Sequence, residues 1–453
     1  MQAGFGKSDI TPRLGVQLAG YGPYRNRAVR EIVAPLHARA MALVDGRKRA
    51  VLLSLECCGT PWRLAAKIRA TVAARTGCRP EEVFVSATHT HSAPSIHGMF
   101  GWGEADMMYL ETLPVRAAEA AVQACANVTG VEWRHAHAPC EGIAVNRETD
   151  SGFAMNANLA ERLDPAWRPA HPDQTDPTVR VLAAYARGKL LGVLHHFGCH
   201  PVVYGEKTAA IHGDYAGMAC LRLEKRHPGA VAIFLPGALG DINPKLNHRV
   251  PRESRLALRA IAQQYAAAVT QALRAAAPVA VPTFNALRRE VTFTRKPWTR
   301  RAVERRVARL EKLFATPGIN DNPFAGGSPP LMTNGMELAR LQGLRQVLTE
   351  FRGQRAPNPP INLHGLRLGP VLLLGCGLEV YHSLQAPVLA GSPHPHTWVV
   401  SLVGGCGYAP DAAALRRAGY AADFVPLICG ELPYARVHAE LPRALVKLAR
   451  DLA

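Results

Sequence analysis

An α/β fold is what this sequence predicts, and three observations carry that reading. Strand-like apolar runs alternate with stretches of helical period along the whole chain, instead of segregating into one class. At 453 residues the chain exceeds a usual single core, so one large body with insertions, or two domains, is expected. Polar and imidazole side chains collect where strands end, the place where open α/β sheets bind ligands.

The first sixty residues read as strands and turns: Asp9-Ile10-Thr11-Pro12, a Gly-Tyr-Gly turn at 20–22, then strands over 38–44 and 50–55. Residues 62–76 alternate apolar and basic side chains at helical period and close on Gly77, a natural helix terminator. A short strand at 83–85 then runs into FVSATHTHSAPSIH (84–97). His89 and His91 stand two apart, and in an extended segment both imidazoles point to one side. Neutral ring nitrogens there can take a divalent metal or handle a proton. The plainer reading is two solvated histidines on a loop.

A helix over 104–126 and a strand over 131–138 follow. Residues 139–176 are loop-rich, with Asn146-Arg147 and a Pro/Asp-rich run over 164–177. Strands at 179–185 and 190–197 form a hairpin around Arg187-Gly188, and the second ends in HHFGCHP (195–201). His212-Gly213-Asp214 precedes a helix, and the apolar strand 230–235 runs into PGALGDINP (236–244). An Ala-rich helix over 255–276 leads to strand material near 282–295.

Residues 297–356 read as an inserted helical hairpin. Val303, Val307, Leu310 and Leu313 make one apolar stripe; Leu338, Leu341 and Leu348 belong to the other. The loop between them, 317–334, is long and rich in Gly, Pro and Asn, as mobile covers over sites often are. Strands at 361–367, 370–376 and 397–403 and helices near 410–417 and 437–452 complete the chain, with no internal repeat visible.

Composition removes several classes of function. The formal charge of +18 suggests nucleic acid, but only 10 of the 53 basic residues are lysine, and the arginines are spread along the chain. No basic arm, RGG tract or aromatic-interleaved stripe appears. Ten cysteines form no CxxC pair, and several sit inside apolar strands, the usage of a reducing compartment. The chain opens with no leader-like segment, and no apolar run approaches ~20 residues, so a cytoplasmic protein without stable membrane association is expected. Homo-oligomerisation is left open. There is no GxSxG elbow, P-loop, HExxH or GxGxxG after a strand.

What remains is a set of polar residues at strand ends: His89, His91, His200, Asp241, Asn243, Glu379 and Tyr408. ATHTHSAP (87–94), HHFGCHP (195–201), GDYAG (213–217), GDINP (240–244), GLEVY (377–381) and GYAP (407–410) occur in the order found in the neutral, non-lysosomal ceramidases. The chain resembles that family; GFGKSDITP (4–12) and Asn146-Arg147 fit as well. The likeness spans nearly the whole chain but only the N-terminal catalytic domain of those enzymes, without their C-terminal immunoglobulin-like domain.

The resemblance implies layered mixed β-sheets flanked by helices, with 1–453 one catalytic domain and 297–356 a helical insertion within it. It further implies Zn²⁺ held by His89, His200, Glu379 and Tyr408, a ligand set whose chemistry suits that ion. His91 would stabilise an oxyanion or move a proton, Arg147 would meet the substrate's polar group, and Asp241 would orient a ligand or its loop. The expected reaction is hydrolysis of a linear amide bond in an N-acyl amine or related small amide by metal-activated water, with Tyr408 or Asn243 assisting the tetrahedral intermediate. A zinc-dependent ester or lactone hydrolase is the alternative, because both reactions pass through the same oxyanion. A non-catalytic nucleic-acid-binding protein would have to exploit the +18 charge.

Departures from the family pattern sharpen the expectation. Ceramidases carry Gly-Asp-Val-Ser-Pro with a serine implicated in catalysis; here Asn243 stands there, and an amide cannot be a nucleophile. Their Pro-Gly-Glu becomes Gly377-Leu378-Glu379. A small cytosolic amide, rather than ceramide at a membrane, is the expected substrate. Plainer readings stand beside these. His195 and His196 read as ordinary strand residues and His394-Pro395-His396 as a solvated loop; His97 and His212 lie near the site by sequence, and Tyr408 alone would read as core.

Overall fold

The structure, a computed structural model, describes residues 1–24, 26–96, 98–150, 157–318 and 333–453. Three larger sheets are each built by the same path. In the first, Gln2–Asp9 lies antiparallel to His37–Asp45, which turns back into Lys48–Leu55. Helix Trp62–Thr76 then crosses over to Val83–Ala87, parallel to Lys48–Leu55, and helix Met107–Ala126 returns over the sheet.

The second sheet repeats the path with Glu132–Pro139, the hairpin Thr178–Ala186 and Lys189–Phe197, helix Asp214–Arg226, parallel strand Val231–Pro236 and helix Pro251–Ala275. The third uses Phe284–Val291, the hairpin Ile361–Leu368 and Val371–Cys376, helix Gln385–Gly391, parallel strand His396–Val400 and helix Val437–Asp451. No repeat is visible in the sequence because the recurrence is of topology, and only apolar pattern and turn chemistry have to recur with it. Each hairpin closes through two residues, Gly46-Arg47, Arg187-Gly188 or Gly369-Pro370, with a left-handed φ at the first (+59°, +50° and +55°). That backbone matches the twist of the strands it joins.

The inner faces of all three sheets meet in one apolar cluster. Phe5, Met41 and Phe84 come from the first, Leu182, Leu194 and Ile233 from the second, and Leu366, Leu373 and Trp398 from the third. Helices cover the outer faces through three further clusters. The result is the α/β architecture of layered mixed sheets expected from the sequence. Arg300–Phe314 and Asn334–Glu350 pair through Val303, Val307, Leu310, Leu341, Leu344 and Val347, and rest on Leu427 and Leu432. The expected cover over 317–334 falls almost entirely outside the described residues, as does His97. No helix among the described residues is long and apolar enough to cross a membrane.

This topology decides where chemistry can sit. In each sheet the parallel pair carries two carboxyl ends side by side. Cys57-Cys58 and His89 follow Lys48–Leu55 and Val83–Ala87. His200 and then Asp241 and Asn243 follow Lys189–Phe197 and Val231–Pro236; Glu379 and Tyr408 follow Val371–Cys376 and His396–Val400. His89, His200, Asp241, Asn243, Glu379 and Tyr408 thus all lie beyond the carboxyl ends of these parallel strands, while Arg147 follows the short strand Ala144–Asn146 that pairs with Ile242–Pro244.

Candidate metal centre

Glu379 and Tyr408 are register partners in a short parallel pair, Glu379–Val380 with Tyr408–Ala409. The Glu379 Oε2 lies 3.0 Å from His200 Nε2 and 3.4 Å from His89 Nε2. His89, His200 and Glu379 each offer a donor atom within 4.8 Å of the others, and none is more than 3% exposed. The two rings meet edge to face with centroids 4.8 Å apart. Positions 89, 200 and 379 are thus brought together from all three sheets.

The outer nitrogens settle the tautomers. His89 Nδ1 faces the Cys58 carbonyl and His200 Nδ1 the Ile242 carbonyl at 3.0 Å, so each Nδ1 donates and, in the neutral rings, each Nε2 keeps its lone pair. Two lone pairs and a carboxylate oxygen then share one buried space, an acceptor-only arrangement that a cation satisfies. Imidazoles fixed through Nδ1 to carbonyls are also what metal-binding histidines require. A proton on His89 Nε2 meets the same demand for positive charge. Burial disfavours charge on His89, yet Glu379 beside it raises the imidazole well above its usual range. Burial would likewise raise Glu379, but His89 and His200 hold it well below the usual carboxylate range.

His89 itself differs from the extended expectation. The strand ends at Ala87, and His89 takes a left-handed φ of +73°, anchored by its N–H to the Cys57 carbonyl at 2.9 Å. Such a backbone costs about 1–3 kcal/mol and persists where the surroundings enforce it. His91 still reaches the centre, its Nε2 3.4 Å from His89 Nε2, but through this turn and not through strand alternation. Its ring is buttressed by Tyr21, edge-on at 4.9 Å, and by Gly20, where a Cβ would lie 2.2 Å from Nδ1. Burial, with His89 and His200 close by, keeps the His91 imidazole well below its usual range and therefore neutral.

Arg147 completes one wall. Its Nη2 donates to the Gly240 carbonyl at 2.7 Å and the Tyr408 hydroxyl at 3.1 Å, and its Nη1 to Asn243 Oδ1 at 3.2 Å. Asp241 accepts from Asn146 Nδ2 at 2.8 Å and from the His382 N–H at 2.7 Å, clamping the loop that carries Arg147. Burial pushes this carboxyl up to about 6 in spite of those bonds.

Other histidines do not join. His195 bonds Tyr265 and Cys220, His196 bonds the Val399 carbonyl, and His212 accepts from the Asp214 N–H. His394 is not a solvated loop residue: it is buried and donates to the Ala449 carbonyl at 3.2 Å, because the helix Val437–Asp451 packs over it. Sequence reasoning missed Tyr420, whose ring lies 6.0 Å from that of Tyr408 at the start of a π-turn. Its only sequence signal is the Gly419 before it, at φ +112° after a strained Ala418. Beside His89 and Glu379 is a cavity of about 50 Å³, walled by Ile96, Met99, Trp102, Leu402, Cys58 and Cys406.

A three-sheet α/β scaffold holding a buried two-histidine, one-carboxylate cluster at converging strand ends defines a protein with a candidate metal centre. The chain belongs to the neutral/alkaline non-lysosomal ceramidase family, whose N-terminal region it matches over residues 1–284, and that membership implies a hydrolase. Its fold is similar to that of the neutral ceramidase from Pseudomonas aeruginosa, with a TM-score of 0.74 at 18% identity, over 99% of this chain and 74% of that one. A ceramidase structure described as complexed with C2 gives a TM-score of 0.72 at 19% identity, over the same shares.

Proposed function

We propose that this protein is a Zn²⁺-dependent hydrolase of the amide bond in an N-acyl amine, with the ion held by His89, His200, Glu379 and Tyr408. The observation that carries this reading is the acceptor-only convergence of His89, His200 and Glu379 from three distant parts of the chain. Bound there, Zn²⁺ would supply Lewis acidity, polarising a carbonyl and lowering the pKa of water.

The chain's own residues do the rest. Arg147, fixed by Gly240 and Asn243, presents positive charge on the Tyr408 side, where charge on the carbonyl oxygen develops. Tyr420 offers a further hydroxyl on that wall. His91, neutral, can accept a proton at Nε2 and return it to the leaving amine. Asn243 accepts from Arg147 and so positions it; the route needs no side-chain nucleophile. The cavity beside Glu379 would take the acyl group. Its ~50 Å³ corresponds to roughly three or four water-sized positions, which favours short acyl chains over long ones.

The test is metal analysis together with rates on N-acyl amides of increasing chain length, ceramides included, and on matched esters. One equivalent of zinc is expected, lost with activity in the His89→Ala, His200→Ala double variant. Full activity in that variant refutes the proposal, and faster turnover of the esters would move the assignment to ester hydrolysis.

A further inference from the structure

A second cleft, of about 330 Å³, lies where the second and third sheets meet, and shares no residue with the metal centre. Two His-x-His pairs line it: His135 and His137 on the strand Glu132–Pro139, and His394 and His396 at the start of His396–Val400. Arg180 and Trp398 complete the part that matters here. Nothing in the hydrolytic reading uses any of these six side chains.

Two polar atoms in this lining are buried and have no partner. One is the Nε1–H of Trp398, a residue only 1% exposed; the other is Nε2 of His135. A buried polar atom left unmet costs about 1–3 kcal/mol, and both of these belong to residues that line the cleft. Arg180 is incompletely used as well. Its Nη1 bonds Asp176 at 2.9 Å and lies 3.4 Å from the Thr178 carbonyl, leaving Nε and Nη2 for a ligand.

The charge and geometry choose the kind of ligand. Burial, with His396, His137 and Arg180 nearby, lowers the His135 imidazole to about 4, so that ring is neutral at neutral pH. Among the described residues no carboxylate lines the cleft, and Arg180, ion-paired to Asp176, is the one formal charge in its lining. A metal fits poorly. Among the described residues these ring nitrogens form no group gathered within 4.8 Å, unlike those of the centre. His135 and His396 instead stack face to face, centroids 4.1 Å apart at 28°.

We propose that this cleft is a second ligand site, taking a small oxyanion, phosphate or carboxylate, on Arg180, the Trp398 indole N–H and the imidazole N–H groups. The guanidinium edge suits two oxygens at once, and the indole can only donate.

Titration calorimetry of the full chain tests this, with inorganic phosphate in one arm and citrate in the other. Saturable binding of at least one is expected, and the arm that responds names the source. Arg180→Gln should weaken Kd tenfold or more. His137→Asn, at an exposed position that leaves the fold intact, should weaken it severalfold, and His200→Ala should leave it unchanged. No saturable binding in either arm overturns the proposal. So does binding that His200→Ala abolishes while Arg180→Gln and His137→Asn spare it. Binding of Ni²⁺ that His137→Asn removes, with no oxyanion bound, overturns it too.

Discussion

Replacing Arg147 by lysine isolates what a fork-shaped cation does at this centre. The guanidinium makes three bonds at once: Gly240 carbonyl at 2.7 Å, Tyr408 hydroxyl at 3.1 Å and Asn243 Oδ1 at 3.2 Å. Its carbon also stands 5.5 Å from the centroid of the Tyr408 ring. A lysine ammonium is a point donor on a flexible stem and can keep the charge but not the planar three-way grip. Losing one preorganised donor at a developing oxyanion costs about 2.7–4 kcal/mol, or roughly 10²–10³ in kcat. The metal should stay, because the contacts among His89, His200 and Glu379 do not pass through Arg147, which touches only the fourth proposed ligand, Tyr408. The assay is kcat and KM on a short-chain N-acyl amide, with zinc stoichiometry measured on the same sample. A kcat within about threefold of the parent at full zinc occupancy would refute the reasoning.

Three further outcomes follow from the same geometry. Gly20→Ala places a Cβ 2.2 Å from His91 Nδ1 at a φ of +82°, so activity should fall at least ~10-fold while zinc content holds; retained activity would show that His91 needs no fixed position. Glu56→Gln weakens the buried bond to Arg39 Nη1 at 2.6 Å, both side chains being 2% exposed, with Glu224 left as the other partner. Denaturant unfolding should report a loss of about 3 kcal/mol, the low end for breaking a buried pair. Asp176, 16% exposed at its side chain, would be raised by burial, but Arg180, Thr178 and Gln385 lower it to about 2. A carboxyl depressed from 3.8 stabilises the fold above pH ~4 and loses that contribution as pH falls toward ~2. Asp176→Asn should therefore flatten the stability difference between pH 5 and pH 2 by on the order of 2 kcal/mol.

Much of the fold was legible because local chemistry is decisive where it occurs. The helix Trp62–Thr76 ends where Gly77 supplies a left-handed φ of +73°, and the Arg187-Gly188 hairpin closes through two residues with φ of +50° and +74°. The strand-end histidines were legible too, since imidazoles in place of apolar residues break the pattern of a buried strand. The convergence of 89, 200 and 379 was not a local property and came only through the family likeness. The left-handed turn at His89 was hidden because nothing in ATHTHSAP distinguishes it from two more strand residues. Tyr420 escaped for a similar reason: a five-residue π-turn leaves no period to read. His394 was misjudged because its burial comes from a helix more than forty residues away in sequence.

The recurrence of the sheets explains why the centre forms where it does. Each sheet directs one parallel pair of carboxyl ends to a common point, and the inner faces bind the sheets through one apolar cluster. His89 is supplied by the first sheet, His200 by the second and Glu379 by the third, so no single unit holds two of the three. Packing brings three candidate ligands together, and a cation bound as proposed would hold all three only when all three sheets are docked. Metal affinity and sheet docking would therefore be linked, since binding to the folded state alone raises stability by RT ln(1 + [L]/Kd), about 2.7 kcal/mol at a hundredfold excess over Kd. A site confined to one hairpin would lack this coupling; here an ion bound as proposed would act as a fourth contact among the three sheets.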